Sequence, residues 1–441
     1  MKTEITLKPK TIPLTENVDV LVVGGGPAGI GAAISAARSG CKTMLLEKRG
    51  FLGGNITACY VENCNHFLNG TGFKAEGLYA QITEQYHKIY NSHDIRPGNS
   101  KRFSSEYLKI YLDRLITEAG ISVKFHSFVN EVVMDGGKIE AVIIQTKKGA
   151  VAIGAKIVID ATGDGDVAFA AGAEFEQGRA GDNLCQPGTV NFRITGVNVK
   201  TLTENGDMLN RIGKKFHDDY RAGITGLKCK RQDLPFGRLT PGGQVSYINY
   251  SCEYKIDPTD INDLTRGEIK CREYIMEFYE YMKKNMEGFE NAEIASIAPE
   301  IGFRDSRRIK GEYTLTLKDM ESGRKFDDAV VTFPKFYDML SPDGNMDGNG
   351  SLEGMGFKGH IFVPIKNSET FQVPYRSLIP AGIENMLVAG RCISADHVAQ
   401  SAVRAISLCM RTGEAAGYAA AIALNCAIAV RDVNPKRIQN K

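Results

Sequence analysis

The sequence has little to offer a membrane, a nucleic acid or an export route. No uninterrupted apolar run reaches the roughly eighteen residues of a membrane span; the nearest, an Ala-rich stretch close to the C-terminus, is broken by Arg411 and Glu414. Neither sign of charge dominates. There are 54 Lys and Arg against 52 Asp and Glu, a formal net charge of +2, with no long block of either sign. A nucleic-acid or membrane-surface partner therefore has no electrostatic footing. Residues 1–17 carry Lys2, Glu4, Lys8, Lys10 and two prolines where a secretory signal has its apolar core, so a cytoplasmic product is expected. The ten cysteines form no CxxC pair, which reads as reduced, mostly buried thiols and argues against disulfide exchange. Internal repeats and low-complexity tracts are absent as well.

The 441 residues have ordinary globular composition, 43% hydrophobic and 24% charged, enough for about two to three domain-sized units with a large core. The most informative stretch begins at Val18. Val18 to Val23 is almost wholly apolar, as suits a parallel strand covered on both faces. Gly24, Gly26 and Gly29 follow with GxGxxG spacing, with Pro27 and Ala28 between them. In such a loop the first glycine permits a tight turn, the second lets a pyrophosphate approach the backbone, and the third lets helix pack closely on strand. The helix that follows presents its positive end to the phosphates. Ala33 and Gly40 continue the pattern, and a second apolar run, Thr43 to Leu46, ends at Glu47 and Lys48. A carboxylate there can accept hydrogen bonds from a ribose with free hydroxyls and disfavours a 2'-phosphate. This unit alone leaves NAD and FAD open.

Further along, helical spacing covers Ser105 to Glu118, and strand-like segments cover 121–134, 138–146 and 151–160 with a turn at Asp135-Gly136-Gly137. Composition shifts between 175 and 371 to mixed strands and long polar helices, notably Asp260 to Met286. A buried-strand pattern returns at 385–390, then a helix over Gln400 to Leu424 in which Gly413 and Gly417 permit close packing. Residues 341–356, rich in Gly, Asp and Asn, read as a loop.

Gly53-Gly54, the turn Ala161-Thr162-Gly163-Asp164-Gly165-Asp166 and the glycine-ended strand at 386–390 together resemble the FAD-binding domain of glutathione-reductase-like flavoproteins. Val20 to Thr57, Asp160 to Asp166, Gly288 to Thr316 with its core Ile301 to Arg308, and Val373 to Ala423 resemble the broad family of FAD-dependent oxidoreductases, distantly related to succinate dehydrogenase and fumarate reductase flavoproteins. The resemblance implies an α/β fold: a Rossmann-like FAD-binding domain, mainly parallel sheet with helices, formed by residues 1–174 and 372–441, and an inserted α+β substrate domain at 175–371.

It also implies a cofactor site. Gly24, Gly26, Pro27, Ala28, Gly29, Glu47 and Lys48 would serve the nucleotide, and Val129 would offer its backbone to the adenine. Gly53, Gly54, Asn55 and Thr57 would run beside the flavin, joined by Ala161, Thr162, Gly163, Gly390 and Arg391. The helix start at Ser401, Ala402 and Val403 would aim N–H groups at the flavin edge that becomes anionic on reduction. Two departures stand out: Gly390-Arg391 replaces the usual Gly-Asp, and Tyr337-Asp338-Met339-Leu340 lacks a histidine that the family often shows.

His397 and Arg404 are catalytic candidates, one for proton transfer and one for polarising a carbonyl or holding a carboxylate. His66 is a third and His360 a weaker one. Cys59, Cys64 and His66 lack a fourth ligand and a zinc-type spacing, so they read as pocket lining and no metal is expected. Arg304, Arg307 and Arg308 form a dense cationic group that could clamp an acidic substrate, but at most two share a strand face, and they read mainly as structural ion-pair formers with Glu312 as a nearby partner.

No second GxGxxG follows in mid-chain, so no separate pyridine-nucleotide domain is expected. The reading is direct hydride exchange between a small organic substrate and flavin N5, as a dehydrogenase or reductase of a C–C or C–O bond. Alternatives are an oxygen-using oxidase or monooxygenase, and a non-catalytic flavin-binding subunit. Partners on this reading are a small-molecule substrate, an external electron donor or acceptor, and a possible second copy of the chain.

Overall fold

The computed structural model describes residues 9–62, 76–90, 102–204, 206, 208–344, 360–363 and 369–439, the four residues 360–363 by backbone alone. Its organising element is the apolar run after Val18. It lies in the strand Leu14–Val23, whose last four residues are fully or almost fully buried. Both flanks of this strand pair in parallel, with Thr43–Leu46 on one side and Gly149–Asp160 on the other. Ser122–Lys124 extends the parallel part beyond Thr43–Leu46, while Lys138–Thr146 and Phe128–Asp135 add an antiparallel hairpin beyond Gly149–Asp160. The late strand Met386–Val388 returns to pair in parallel with Val158 to Asp160, completing a seven-stranded sheet. The expected single strand over 121–134 is two strands, because His126 takes a left-handed conformation, φ 55°, between them.

Two helices pack against each other on this sheet, Pro27–Arg38 and Ile406–Cys426. Their approach depends on missing side chains: a Cβ at Gly413 would lie 1.9 Å from the Ala28 carbonyl oxygen, and one at Gly417 2.3 Å from that of Ala32. The C-terminal helical stretch is interrupted. His397–Val403 ends at Arg404, and a new helix begins after Ala405, whose ψ of 137° turns the chain. The Ala-rich pattern runs straight through that turn, with neither glycine nor proline to mark it.

A second apolar core is built from Tyr60 and residues 190–303. Here Gly188–Thr195, Val245–Glu253 and Glu293–Ile297 form an antiparallel sheet. The long helix is Ile261–Asn285, and Asp260 caps it by accepting from the N–H groups of Asn262 and Asp263. Tyr250 stacks on Phe278 with centroids 4.2 Å apart, tying sheet to helix. Residues 309–337 of the expected insert pack into the first core, among them Ile309, Leu315 and Phe333.

Candidate functional site

The GxGxxG turn closes where strand meets helix. Gly24 has φ 103°, and a Cβ there would sit 2.4 Å from the Ala161 carbonyl oxygen; a Cβ at Gly29 would sit 1.7 Å from that of Gly24. No side chain fits either place. The glycine loop is held from beside: Glu47 is buried, and its carboxylate accepts from the Gly25 N–H at 2.7 Å and the Arg49 N–H at 2.9 Å. Arg49 also pairs with Glu47, at 3.3 Å, and with Glu300 of the inserted unit. The Gly53 N–H donates to Gly25 O at 2.9 Å, which docks the second glycine pair on the first.

Opposite this cradle lies the Ala-Thr-Gly turn, organised by the strand-end residue that precedes it. Asp160, fully buried at the end of its strand, accepts from the Thr162 N–H and hydroxyl through Oδ1, and from the Val167 and Ala168 N–H groups through Oδ2. Burial pushes its carboxyl up to about 6, against the lowering pull of these hydrogen bonds. Arg391 reaches across from the last strand. It donates to Gly163 O at 2.9 Å, to Phe303 O at 2.6 Å and to the Asp164 carboxylate at 2.6 Å. The Gly390-Arg391 departure thus puts a three-way clamp where a carboxylate was the usual residue. Burial works to raise the Asp164 carboxyl, yet with Arg391 beside it the net effect is to hold it below the ordinary range.

A cavity of about 360 Å³ runs from these two turns to the sheet of the inserted unit. At the end beside the glycine loop it is lined by Gly24, Gly26, Pro27, Ala28, Glu47 and Lys48, continued by Gly54 and Asn55 and by Ala161, Thr162 and Gly163. Gly390, Arg391 and Arg404 also line it. Gly29 and Gly53 stand just behind the lining as close-packing glycines. Thr57 is buried and donates its hydroxyl to Leu52 O at 2.6 Å, so it braces the turn. Val129 is half-buried on an edge strand and is not part of the lining.

Four further expected residues lie off the lining. Ser401, Ala402 and Val403 are buried in the last turn of their helix and do not line the cavity; the helix start that does is Ala405 and Ile406, followed by Cys409. His397 does not line it either. Its Nδ1 lies 3.3 Å from the buried Asp305 carboxylate, and burial, only partly opposed by Asp305, lowers its pKa and favours the neutral ring. Arg404 does face the cavity and donates to the backbone and carboxylate of Asp338, at 2.6 and 3.2 Å. His66 and Cys64 fall outside the described residues, as does the side chain of His360. Cys59 lines the cavity as a buried thiol, pushed up to about 11 by burial.

The arginine triplet divides. Arg307 pairs with Asp166 at 3.1 Å, and Arg308 donates to Ala395 O and Gly178 O and lies 3.7 Å from Glu176. Glu312 pairs with Arg431 instead, at 3.7 Å. Arg304 forms no ion pair among the described residues: its Nη1 donates to Pro187 O and to Thr189 Oγ1, and it lines the cavity. The lining at this end comes from the inserted unit, with Asn191 and Asn249 on facing strands, Tyr247, and Arg231 held by Asp233. None of these sits in a motif, so only their convergence in space exposes them.

Fold and cavity define a dinucleotide-binding α/β protein with a second unit set over the cradle. Residues 19–441 match the family model described as FAD dependent oxidoreductase, and the chain belongs to that family. It is 33% identical over 158 residues to digeranylgeranylglycerophospholipid reductase of Thermoplasma acidophilum, a match covering 34% of this chain and 40% of that protein. It is 26% identical over 156 residues to thiamine thiazole synthase of Aeropyrum pernix, covering 33% of this chain and 54% of that one. The chain thus spans about two fifths to a little over half of the length of these relatives. Among solved structures, a geranylgeranyl bacteriochlorophyll reductase-like protein of Thermoplasma acidophilum aligns with TM-score 0.46 at 16% identity, over 96% of this chain and 82% of that one. A myxobacterial chondrochloren halogenase aligns with TM-score 0.46 at 13% identity, over 97% and 78%. Among the described residues, no helix is long and apolar enough to cross a membrane.

Proposed function

We propose that the chain is an FAD enzyme that exchanges a hydride with a small organic substrate held at the inserted end of the cavity. The observation that carries this reading is the continuity of that cavity, from a glycine-lined cradle to a wall of Asn, Arg and Tyr side chains supplied by a different core. The residues fit the family's cofactor. Gly24 and Gly26 leave backbone room for a pyrophosphate, and the first turn of Pro27–Arg38 brings unpaired N–H groups to it. Glu47 keeps acceptor capacity for ribose hydroxyls beyond the bonds it makes. The start of Ile406–Cys426, which has no side-chain cap, offers N–H groups toward an anionic ring edge. When bound, FAD supplies a ring that takes or gives a hydride at N5. The protein's part is to place the substrate carbon and exclude water.

The test is a visible spectrum of the purified protein before and after acid precipitation, followed by anaerobic reduction with a panel of hydride donors. Yellow protein releasing FAD and bleached by a donor is expected. A colourless protein that cannot be reconstituted with FAD overturns the reading.

A further inference from the structure

Three arginines, Arg231, Arg304 and Arg404, line the inserted end of the cavity, and two of them are matched by carboxylates. Arg231 is matched by Asp233 through two hydrogen bonds and by Asn249 through a third, and Arg404 is matched by Asp338. Among the described residues Arg304 hydrogen-bonds only to neutral groups, the Pro187 carbonyl and the Thr189 hydroxyl, and both bind Nη1. Its Nε and Nη2 have no protein acceptor among the described residues, and together they form the edge of a guanidinium that grips a carboxylate bidentately. Arg231 and Arg404 stand close enough to press on it electrostatically. Burial, the larger cause, and these two cations outweigh the opposing pull of the Asp338 carboxylate and bring Arg304 down to about 10, still a cation at neutral pH. A cation in that setting is costly unless something outside the chain supplies its counterion.

We propose that the inserted end of the cavity takes its substrate through a single carboxylate, seated on the free edge of Arg304 between the two neutralised arginines. The proposal names the substrate class for the flavoenzyme reading above and rests on it. One unmatched cation fits a monoanion; a phosphate near its second ionisation brings nearly two charges and leaves one uncompensated.

Calorimetric titrations of the FAD-loaded protein with the monocarboxylates acetate and benzoate, the uncharged acetamide and benzamide, and inorganic phosphate test this. A carboxylate should bind at least tenfold tighter than its amide and tighter than phosphate. Arg304→Met should weaken carboxylate binding about 30-fold, close to 2 kcal/mol, with FAD stoichiometry unchanged. Arg304→Lys, a point charge without the fork, should lie between and keeps the test valid if the Met variant does not fold. Equal binding of acid and amide, phosphate as the tightest ligand, or carboxylate binding indifferent to Arg304 would each overturn the proposal. A protein that binds carboxylates through Arg304 but holds no FAD would instead remove the flavoenzyme reading and leave the anion seat standing.

Discussion

Replacing Arg391 by Met removes three hydrogen bonds at once, from Gly163 O, Phe303 O and Asp164. Each involves a charged donor, worth roughly 1.5–3 kcal/mol, but water entering from the cavity can resolvate the two carbonyls. Asp164, 22% exposed, is not sealed away either. The low end of the roughly 3–5 kcal/mol for breaking a buried pair therefore applies, about 3 kcal/mol. Two further variants separate the pair from the packing. Asp164→Asn alone leaves Arg391 with its carbonyls and should cost less. The double variant removes both charges and should recover part of the loss, giving a coupling of at least about 1.5 kcal/mol. The measurement is urea unfolding of the apoprotein at neutral pH by far-UV circular dichroism, alongside FAD retention on gel filtration. Additive losses with coupling under about 0.5 kcal/mol would refute the clamp. So would an Arg391→Met variant that keeps wild-type stability and FAD.

Gly29→Ala gains up to about 1 kcal/mol of helix propensity but places a methyl 1.7 Å from a backbone oxygen. FAD affinity should fall at least about 100-fold, and a variant that purifies with one FAD per chain sinks that argument. Asp160, near 6 when folded against 3.8 in its ordinary state, holds a proton in the folded chain that the unfolded chain has lost between these pH values. Its contribution therefore favours folding at low pH, and about 3 kcal/mol is lost as pH rises through 6. Asp160→Asn should remove that slope from stability profiles between pH 4 and 7.5, and a wild-type-minus-variant difference that does not vary with pH contradicts it. Cys59, buried and raised to about 11, should resist iodoacetamide at pH 8 under conditions that alkylate the exposed Cys426; peptide mapping that finds Cys59 labelled at the same rate would contradict its burial.

The nucleotide end of the site was legible because its signals are local. Gly24 to Gly29 and Glu47 lie on one strand-helix-strand unit, where spacing alone determines geometry. That the late strand belongs with the first domain was legible too, through the family resemblance, though its partner, Val158 to Asp160, was not. The substrate end was not. Arg231, Asn249, Asn191 and Asp338 come from four separate segments, only two of them paired with one another as strands, and nothing in their neighbours' spacing reports that the fold brings them together. Arg304 was visible as a cation but not as an unpaired one, because pairing is a fact of three-dimensional charge neutralisation. The break at Arg404 and Ala405 escaped notice for another reason. A helix-compatible composition allows an interruption without requiring it, and here the fold, not propensity, decides it.

Arg391 also bears on how the two halves of the site depend on each other. Its guanidinium joins the end of the last sheet strand, the turn after Gly149–Asp160, and Phe303 at the edge of the inserted unit's core. A carboxylate at that position could satisfy a ligand hydroxyl but could donate to neither carbonyl. The arginine therefore makes the shape of the nucleotide cradle contingent on where residue 303 lies. Arg49 repeats the device from the other side, joining Glu47 behind the glycine loop to Glu300. Asn55 Nδ2 also donates to Phe303 O, at 3.2 Å, so polar ties from three separate turns, through Arg49, Asn55 and Arg391, converge on 300–304. That same segment carries Arg304 into the substrate end. A displacement of these five residues reaches both ends of the cavity through hydrogen bonds alone, so occupancy of one end has a physical route to the other.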